Sequence, residues 1–290
     1  MPGLETSWGI VRAVLIGVLL SVLLIRMFEE RFIFFPDIAY GGGDKPEDYG
    51  LRAEEVFLTT ADGVRIHGYW SPAPGSERTI LLFHGNAGNL SHRLDTVAFL
   101  NLLPANVLAI DYRGYGKSDG RPTEEGVYLD AQAAYDYVTR ERGVRPEQIT
   151  TVGQSLGVAV AVDLVTRRPL AGLILEGGFP SARRVARRAI WLPGIAYVIR
   201  SKFDSAAKLK EIRIPVLVAH CRQDSVLPFA LGEELYAAAN QPKTFVAYPG
   251  PCHEPLFHAD PVDYTARLRA FLQIESKEAK EAQESKEAQN

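Results

Sequence analysis

The sequence predicts an α/β protein whose mostly parallel, doubly wound sheet is opened by an antiparallel hairpin. Short apolar runs without polar–apolar alternation recur along the chain, and such runs are typical of strands buried on both faces of a parallel sheet. Segments with helical periodicity separate these runs, and strand and helix in alternation build a doubly wound fold. The predicted strands of the parallel part are 79–83, 107–110, 149–152, 173–176, 216–220 and 244–248.

The antiparallel hairpin and the helices follow from local patterns. Two strand-like runs, 56–60 and 64–70, are joined at Asp62-Gly63, a dipeptide that favours a tight hairpin turn. The predicted helices are 93–102, 124–142, 158–167, 232–239 and 260–272. In such a fold the functional residues are expected at the carboxyl ends of the strands.

Composition limits the classes of partner. The chain has 290 residues, of which 47% are hydrophobic, and this is enough for a large buried core. Its 32 basic and 35 acidic residues give a formal net charge of −3, so we expect no nucleic-acid partner. The two cysteines, Cys221 and Cys252, are too few for a scaffold of several disulfides or a four-cysteine zinc module.

The most apolar stretch lies near the N-terminus. Residues 13–25 carry no charge, and the segment 9–28 would form a helix about 30 Å long, enough to cross the apolar core of a bilayer. No small-residue cleavage site follows, and the phenylalanines and arginines between residues 26 and 35 suit a membrane interface. We therefore expect a retained, single-pass membrane anchor. A cleaved signal peptide and a helix buried in the domain are the alternatives.

This anchor divides the chain into five parts. We expect a short tail at 1–8, the transmembrane helix at 9–28, an interfacial segment and linker at 29–50, the main domain at 51–274 and a charged, low-complexity tail at 275–290. Arg12 precedes the uncharged stretch 13–25, whereas Arg26, Arg31 and Lys45 follow it, so the count of positive residues favours the cytoplasmic side for the main domain. The sequence does not determine the oligomeric state.

A sharp turn between a predicted strand and a predicted helix presents a serine. The turn has the pattern G-x-S-x-G, with Gly153, Ser155 and Gly157 at its fixed positions. Because a residue in a strained turn needs neighbours without a Cβ, the glycines let the Ser155 hydroxyl stand clear of the sheet over a helix N-terminus. A glycine-rich run at 84–89 follows another strand, and its backbone N–H, together with that of Leu156, predicts an oxyanion hole.

A nucleophilic serine needs a base, and the base needs an orienting carboxylate. Asp224 follows the strand at 216–220, and His253 follows the strand at 244–248 in a glycine- and proline-rich loop. His258 is the competing base, and His253 is preferred because it comes sooner after its strand. The other histidines lie in strands, at strand ends or at a helix start and are interpreted as structural: His67, His84, His92 and His220.

Five motifs in this order resemble those of the α/β-hydrolase superfamily. They are HGNAGN at 84–89, DYRGYGKSDG at 111–120, GQSLG at 153–157, the Asp224 loop and the His253 loop. With its apolar segment the chain looks like the N-terminally anchored branch of serine aminopeptidase-like and depalmitoylating, thioesterase-like hydrolases. The resemblance implies Ser155 as nucleophile, His253 as base and Asp224 as its partner. It also implies an oxyanion hole made by the backbone amides of Asn86 and Leu156, with no metal and no organic cofactor.

The function expected from these features is that of a membrane-anchored serine hydrolase. It would cleave an acyl ester or thioester of a small-molecule or lipidated substrate through an acyl-enzyme. A serine peptidase of the aminopeptidase-like kind and a non-catalytic, membrane-tethered interaction protein are the alternatives. In this fold an insertion at about 179–210 forms a lid, whose four arginines between residues 183 and 188 would face either anionic lipid headgroups or solvent.

Both cysteines flank the predicted triad, on strands that are expected to be neighbours. Cys221 precedes the Asp224 loop, and Cys252 directly precedes His253. The favoured interpretation is that they are two small residues that fill space. The alternative is a pair within disulfide reach, which could report the redox state.

Overall fold

The computed structural model of the protein describes residues 2–39, 45–189 and 198–274. For residues 2–7 and 189 this description covers the backbone alone. The tail predicted at 275–290 lies outside the described residues, as do residues 40–44 of the predicted linker and 190–197 of the predicted lid.

The central sheet confirms the predicted fold class. The strands are β1 (Phe35–Pro36), β2 (Glu54–Thr59), β3 (Arg65–Ser71), β4 (Thr79–Phe83), β5 (Ala87–Gly88), β6 (Asn106–Ile110), β7 (Ile149–Gln154), β8 (Gly172–Glu176), β9 (Val216–Cys221) and β10 (Lys243–Tyr248). Eight of them form one sheet in the order β10-β9-β8-β7-β4-β6-β3-β2. The β2–β3 and β3–β6 pairs are antiparallel, and the other pairs of this sheet are parallel. The carboxyl ends of the parallel strands therefore meet at one edge.

The helices include the five predicted ones, and three of these differ from their predicted bounds by two residues or more; the one predicted at 232–239 begins at Phe229. They are α1 (Pro2–Ile33), α2 (Leu94–Leu102), α3 (Glu124–Asp136), α4 (Leu156–Arg167), α5 (Ala182–Ala189), α6 (Ser205–Leu209), α7 (Phe229–Ala238) and α8 (Pro261–Phe271). The helix predicted at 124–142 ends earlier, because a π-helical turn, Tyr137–Glu141, follows α3. The helix predicted at 158–167 begins earlier, directly after Ser155.

Both faces of the sheet are buried, as the unalternating apolar runs predict. Along β4, Leu81 and Phe83 belong to one buried cluster, whereas Ile80 and Leu82 belong to a second cluster on the opposite face. Helices α3 and α4 cover the first face, and α2 and α8 cover the second. Because helices cover both faces, a functional site can form at the edge of the sheet where the carboxyl ends of the parallel strands meet the loops.

Within the described residues, one helix is long and apolar enough to cross a membrane. It is the part of α1 from Trp8 to Ile33, whose mean hydropathy is 2.5 and whose most apolar window contains no buried residue. The helix extends past the predicted boundary at residue 28, and β1 follows it, so the segment predicted as a linker begins with regular structure. Glu29 and Phe34 are each 3% exposed, because they are buried against the domain.

Two arginines of the predicted lid are paired with the neighbouring helix. Arg184 donates through Nε to an oxygen of Glu234 on α7 at 2.7 Å, and a guanidinium nitrogen of Arg188 lies 3.7 Å from the same carboxylate. These side chains are about 40% exposed, so such pairs contribute little to stability. Their charge is therefore directed at least partly to Glu234.

The favoured interpretation of the two cysteines, that they only fill space, is wrong, and the alternative of a disulfide is confirmed. Cys221, the last residue of β9, and Cys252 form a disulfide, with their Cα atoms 5.5 Å apart. Because β9 and β10 are neighbours, the loop after β10 returns to the end of β9. The bond thus ties the loop that carries His253 to the strand that precedes Asp224.

Removal of the disulfide is expected to destabilise the fold. The bond closes a loop of sequence separation 31, for which chain entropy predicts a loss of about 3–4 kcal/mol in the free energy of unfolding. Denaturant unfolding of the double variant Cys221→Ser/Cys252→Ser, in detergent, measures it, with the oxidised and the reduced wild-type protein as references. If alkylation of the denatured protein without reductant already adds two alkyl groups to the intact mass, the bond does not form.

Candidate active site

The turn between β7 and α4 holds Ser155 in an unusual backbone conformation. Its φ is 51° and its ψ is −109°, in the positive-φ region that side-chain-bearing residues rarely adopt. A Cβ on Gly153 would lie 2.4 Å from the carbonyl oxygen of Gly157, and a Cβ on Gly157 would lie 1.9 Å from that of Phe83. Both glycines are therefore required for the close packing that keeps this turn sharp.

Three side chains from three strand ends form one hydrogen-bonded chain. The Ser155 hydroxyl lies 3.0 Å from Nε2 of His253, and Nδ1 of His253 lies 2.6 Å from Oδ2 of Asp224. The Asp224 side chain is fully buried, whereas His253 keeps 16% of its side chain exposed. Such a chain can move a proton from a hydroxyl to an imidazole whose tautomer a carboxylate fixes.

His253, and not His258, lies at Ser155. His258 is 60% exposed and faces Asp95, with 3.3 Å between Nε2 and Oδ2. The structure thus separates the two candidate bases that the sequence left in competition.

The environment of Asp224 keeps it ionised. Burial by itself raises the pKa of this carboxyl, but hydrogen bonds from His220, His253 and the backbone N–H of Leu227 together hold the pKa well below its usual range. Its Oδ1 accepts two backbone hydrogen bonds, from Val226 and Leu227, each of 2.8 Å. The negative charge is therefore fixed in place beside Nδ1 of His253.

The glycine-rich run after β4 lies next to the turn at Ser155. Gly157 packs against the backbone of Phe83 and His84, so the N-terminus of α4, where Leu156 lies, meets the start of this run. The buried Tyr112 hydroxyl donates to the carbonyl of His84 at 2.8 Å. Asn86, the other predicted oxyanion-hole residue, lies two positions further along this loop.

The chain has relatives in sequence among known proteins. It matches a family model described as serine aminopeptidase, S33, over residues 75–203. An uncharacterized protein of Mycobacterium tuberculosis is 36% identical over 237 residues, which cover 80% of this chain and 83% of that protein. The α/β hydrolase domain-containing protein WAV2 of Arabidopsis thaliana is 33% identical over 260 residues, 81% of this chain and 84% of WAV2. The chain belongs to the α/β-hydrolase family.

Solved structures of other α/β hydrolases have the same fold. The esterase Pf2001 of Pyrococcus furiosus matches with a TM-score of 0.69 and 21% identity, over 82% of this chain and 98% of the esterase. An α/β hydrolase of Vibrio vulnificus matches with a TM-score of 0.63 and 23% identity, over 76% and 81% of the two chains. At these identities the likeness concerns the fold alone.

Sequence reasoning missed the position of His220 in this hydrolase. The interpretation of His220 as structural leaves out a contact with Asp224: its Nε2 lies 3.3 Å from Oδ2 of Asp224 and 2.7 Å from the carbonyl of Leu227. Gly232 makes room for it, because a Cβ there would lie 2.5 Å from Nδ1 of the ring. Its placement four residues before Asp224, at a strand end, is the one signal that could have indicated this contact.

A second missed residue is Glu254, the neighbour of His253. Its carboxylate is buried against the glycine-rich loop, where a Cβ on Gly85 would lie 1.9 Å from one of its oxygens. Burial raises its pKa, while the guanidinium of Arg93, 3.5 Å away, acts in the opposite direction. Nothing in the local sequence distinguishes this glutamate from a surface residue.

No group of three or more histidine, cysteine or acidic side chains suited to a metal ion occurs among the described residues. The polar groups at Ser155 are instead arranged as donor and acceptor pairs.

His84 is expected to make the stability of the hydrolase pH-dependent. Burial lowers its pKa from 6.5 to about 4. Between these pH values the unfolded chain binds a proton at His84 and the folded state does not. The contribution of neutral His84 to the free energy of unfolding is complete above pH 6.5. As the pH falls toward about 4, the free energy of unfolding decreases by about 3 kcal/mol. The comparison is with His84→Asn, whose amide can replace the donor that faces the Gly85 carbonyl. Equal pH dependence of unfolding in both proteins would contradict the assignment.

Proposed function

We propose that this α/β hydrolase is a membrane-anchored serine hydrolase that cleaves an acyl ester or thioester through an acyl-enzyme. The observation that carries the proposal is the hydrogen-bonded chain from the Ser155 hydroxyl through His253 to Asp224. It lies at the turn where the backbone is forced into the positive-φ region. The proposed site residues are Ser155, His253 and Asp224, with the backbone amides of Asn86 and Leu156.

The proposed mechanism follows from this geometry. The Ser155 hydroxyl attacks the acyl carbon while Nε2 of His253 takes its proton, and the Asp224 carboxylate stabilises the imidazolium that forms. The carbonyl oxygen, now negative, accepts hydrogen bonds from the two backbone amides, the kind of donor typically worth about 3–4 kcal/mol each. His253 then protonates the leaving alcohol or thiol. A water molecule, deprotonated by the same imidazole, releases the acid and restores Ser155.

The proposed location follows from α1. Its exposed apolar residues have no covering partner among the described residues, and a bilayer would cover them. Phe32 and Phe35, 71% and 57% exposed, lie at the end of the helix where a membrane interface is expected. The proposed anchor is therefore 9–28 and the hydrolase domain 51–274, with a lid at about 179–210. A site held this close to a bilayer favours small-molecule or lipidated substrates with an apolar acyl group.

Two features indicate on which side of the membrane the hydrolase domain lies, and they favour opposite sides. The excess of positive residues after the span favours the cytoplasm, by two charges. The disulfide between Cys221 and Cys252 favours an oxidising compartment, because cytosolic reductants keep most thiols reduced. We give the covalent bond more weight than the small charge difference. The proposal is thus a domain on the non-cytoplasmic side, opposite to the side that the charge count predicts.

A peptidase is the second candidate, favoured by the description of the matching family model as a serine aminopeptidase. The same serine, base and oxyanion hole would act on an amide. Comparison of acyl esters, acyl thioesters and aminoacyl amides as substrates of the purified protein distinguishes the two. The proposal predicts that ester or thioester turnover exceeds amide turnover.

Labelling by a fluorophosphonate probe tests whether Ser155 is activated. We expect the full-length protein in detergent to be labelled and Ser155→Ala and His253→Ala to lose labelling, because the probe needs a nucleophilic serine with a base. Asp224→Asn is expected to lower ester turnover by about 10⁴-fold, through loss of the tautomer that accepts the serine proton. His258→Ala is the matched control, a histidine removed outside the hydrogen-bonded chain, and should behave as the wild type. Folded wild-type protein that resists the probe would instead favour the non-catalytic, membrane-tethered alternative.

A further inference from the structure

The segment that leaves the membrane helix is built into the glycine-rich loop. We call residues 33–39 the junction segment. Its strand β1 pairs in parallel with β5, which places Phe35 opposite Ala87 and Pro36 opposite Gly88. The backbone N–H of Asp37 then donates to the carbonyl of Gly88 at 3.1 Å. The outer edge of the loop after β4 is therefore completed by residues that lie about 50 positions earlier in the chain.

The side chain of Asn86 connects the two pieces. Its Nδ2 donates to the carbonyl of Ile33 at 2.5 Å, and its Oδ1 accepts from the backbone N–H of Phe35 at 3.2 Å. The same oxygen accepts from the Tyr115 hydroxyl at 2.9 Å. One amide thus binds two positions of the junction segment, Ile33 and Phe35. These bonds fix the residue whose own backbone N–H is proposed to face the oxyanion.

A second asparagine repeats the connection at the far end of the loop. Nδ2 of Asn89 donates to the carbonyls of Asp37 and Ala39, at 3.0 and 2.9 Å. The Asp37 carbonyl also accepts from the backbone N–H of Gly116 at 3.0 Å. Both ends of the loop from Asn86 to Asn89 are therefore bound to the junction segment.

The junction segment is itself fixed to the domain. Phe34 is 3% exposed and packs edge-on against Phe203, with 6.1 Å between the ring centroids. The buried carboxylate of Glu29, one turn earlier, accepts from the backbone N–H groups of Arg200 and Ser201 at 2.8 and 2.6 Å. These contacts hold the end of the membrane helix against the domain, whereas a flexible linker would make no such contacts.

We propose that Asn86 is a positioning residue: its side chain, by binding the junction segment, holds its backbone N–H where the oxyanion forms. The end of the membrane helix is then a structural part of the active site as well as its link to the bilayer. The inference rests on the proposed function. Its physical basis is that oxyanion donors act only when they are preorganised, and a displacement of about 1 Å can cost about 10²-fold in rate.

The test uses three variants of the full-length protein in detergent. Asn86→Ala removes the side-chain amide and keeps the backbone N–H. Phe35→Pro removes the N–H that donates to Asn86, and Phe35→Ala is its matched control, because it loses the same exposed ring and keeps the N–H. The measurements are kcat and KM on p-nitrophenyl esters, the Kd of a trifluoromethyl ketone and thermal unfolding.

Asn86→Ala and Phe35→Pro are expected to lower kcat by about 10- to 100-fold, with KM changed less than about threefold. The ketone forms a tetrahedral adduct whose oxygen occupies the oxyanion position, so its Kd should rise by the same factor. For Phe35→Ala, kcat, KM and the ketone Kd should each stay within about threefold of the wild-type values.

Three results would overturn the inference while the proposed function stands: a kcat of Asn86→Ala within about twofold of the wild type, an unchanged ketone Kd despite a lower kcat, or equal losses in Phe35→Pro and Phe35→Ala. Thermal unfolding identifies a proline variant that fails to fold, and the decision then rests on Asn86→Ala. A wild-type protein without Ser155-dependent turnover would instead overturn the proposed function itself.

Discussion

The packing of helix α4 against the ends of β7 and β4 is the constraint on which the site depends. The helix can begin directly after the strand only because Gly153 and Gly157 carry no side chain. The change of chain direction occurs at Ser155, whose φ is 51°. Backbone strain of this kind persists only where the surrounding structure over-determines it. Here a core that is buried on both faces of the sheet supplies that support, and the serine hydroxyl is held beside His253.

Burial gives the charged groups around Ser155 different roles. Asp224 is buried with enough donors to stay ionised, so it can orient an imidazole and stabilise its positive form. His84 is buried beside the glycine-rich loop with its pKa lowered to about 4, and it therefore stays neutral at physiological pH. Both groups are therefore deprotonated at physiological pH, but the carboxylate is charged and the imidazole is neutral. The site has a fixed negative charge beneath His253 and no fixed positive charge from His84.

Much of this arrangement could be predicted from the sequence, because it follows from local patterns. Ser155, Asp224 and His253 each come just after an apolar run, and the carboxyl ends of parallel strands meet at one edge. What could not be predicted depends on contacts between distant parts of the chain. The side chain of Asn86 binds residues 51 and 53 positions away, and the pairing of β1 with β5 has only two residues in each strand. The disulfide is an intermediate case: the sequence offers it as the alternative interpretation, and the return of the loop after β10 to the end of β9 decides in its favour.

The central claim is that Ser155 carries the acyl group during turnover. Its most direct test is to mix the full-length protein with an acyl thioester or p-nitrophenyl ester, quench with acid within the first turnover and map the added mass by peptide mass spectrometry. The proposed mechanism predicts an acyl group on the peptide that contains Ser155, and none in Ser155→Ala. Turnover of the substrate with the acyl group on another residue, or with the same rate in Ser155→Ala, would contradict it.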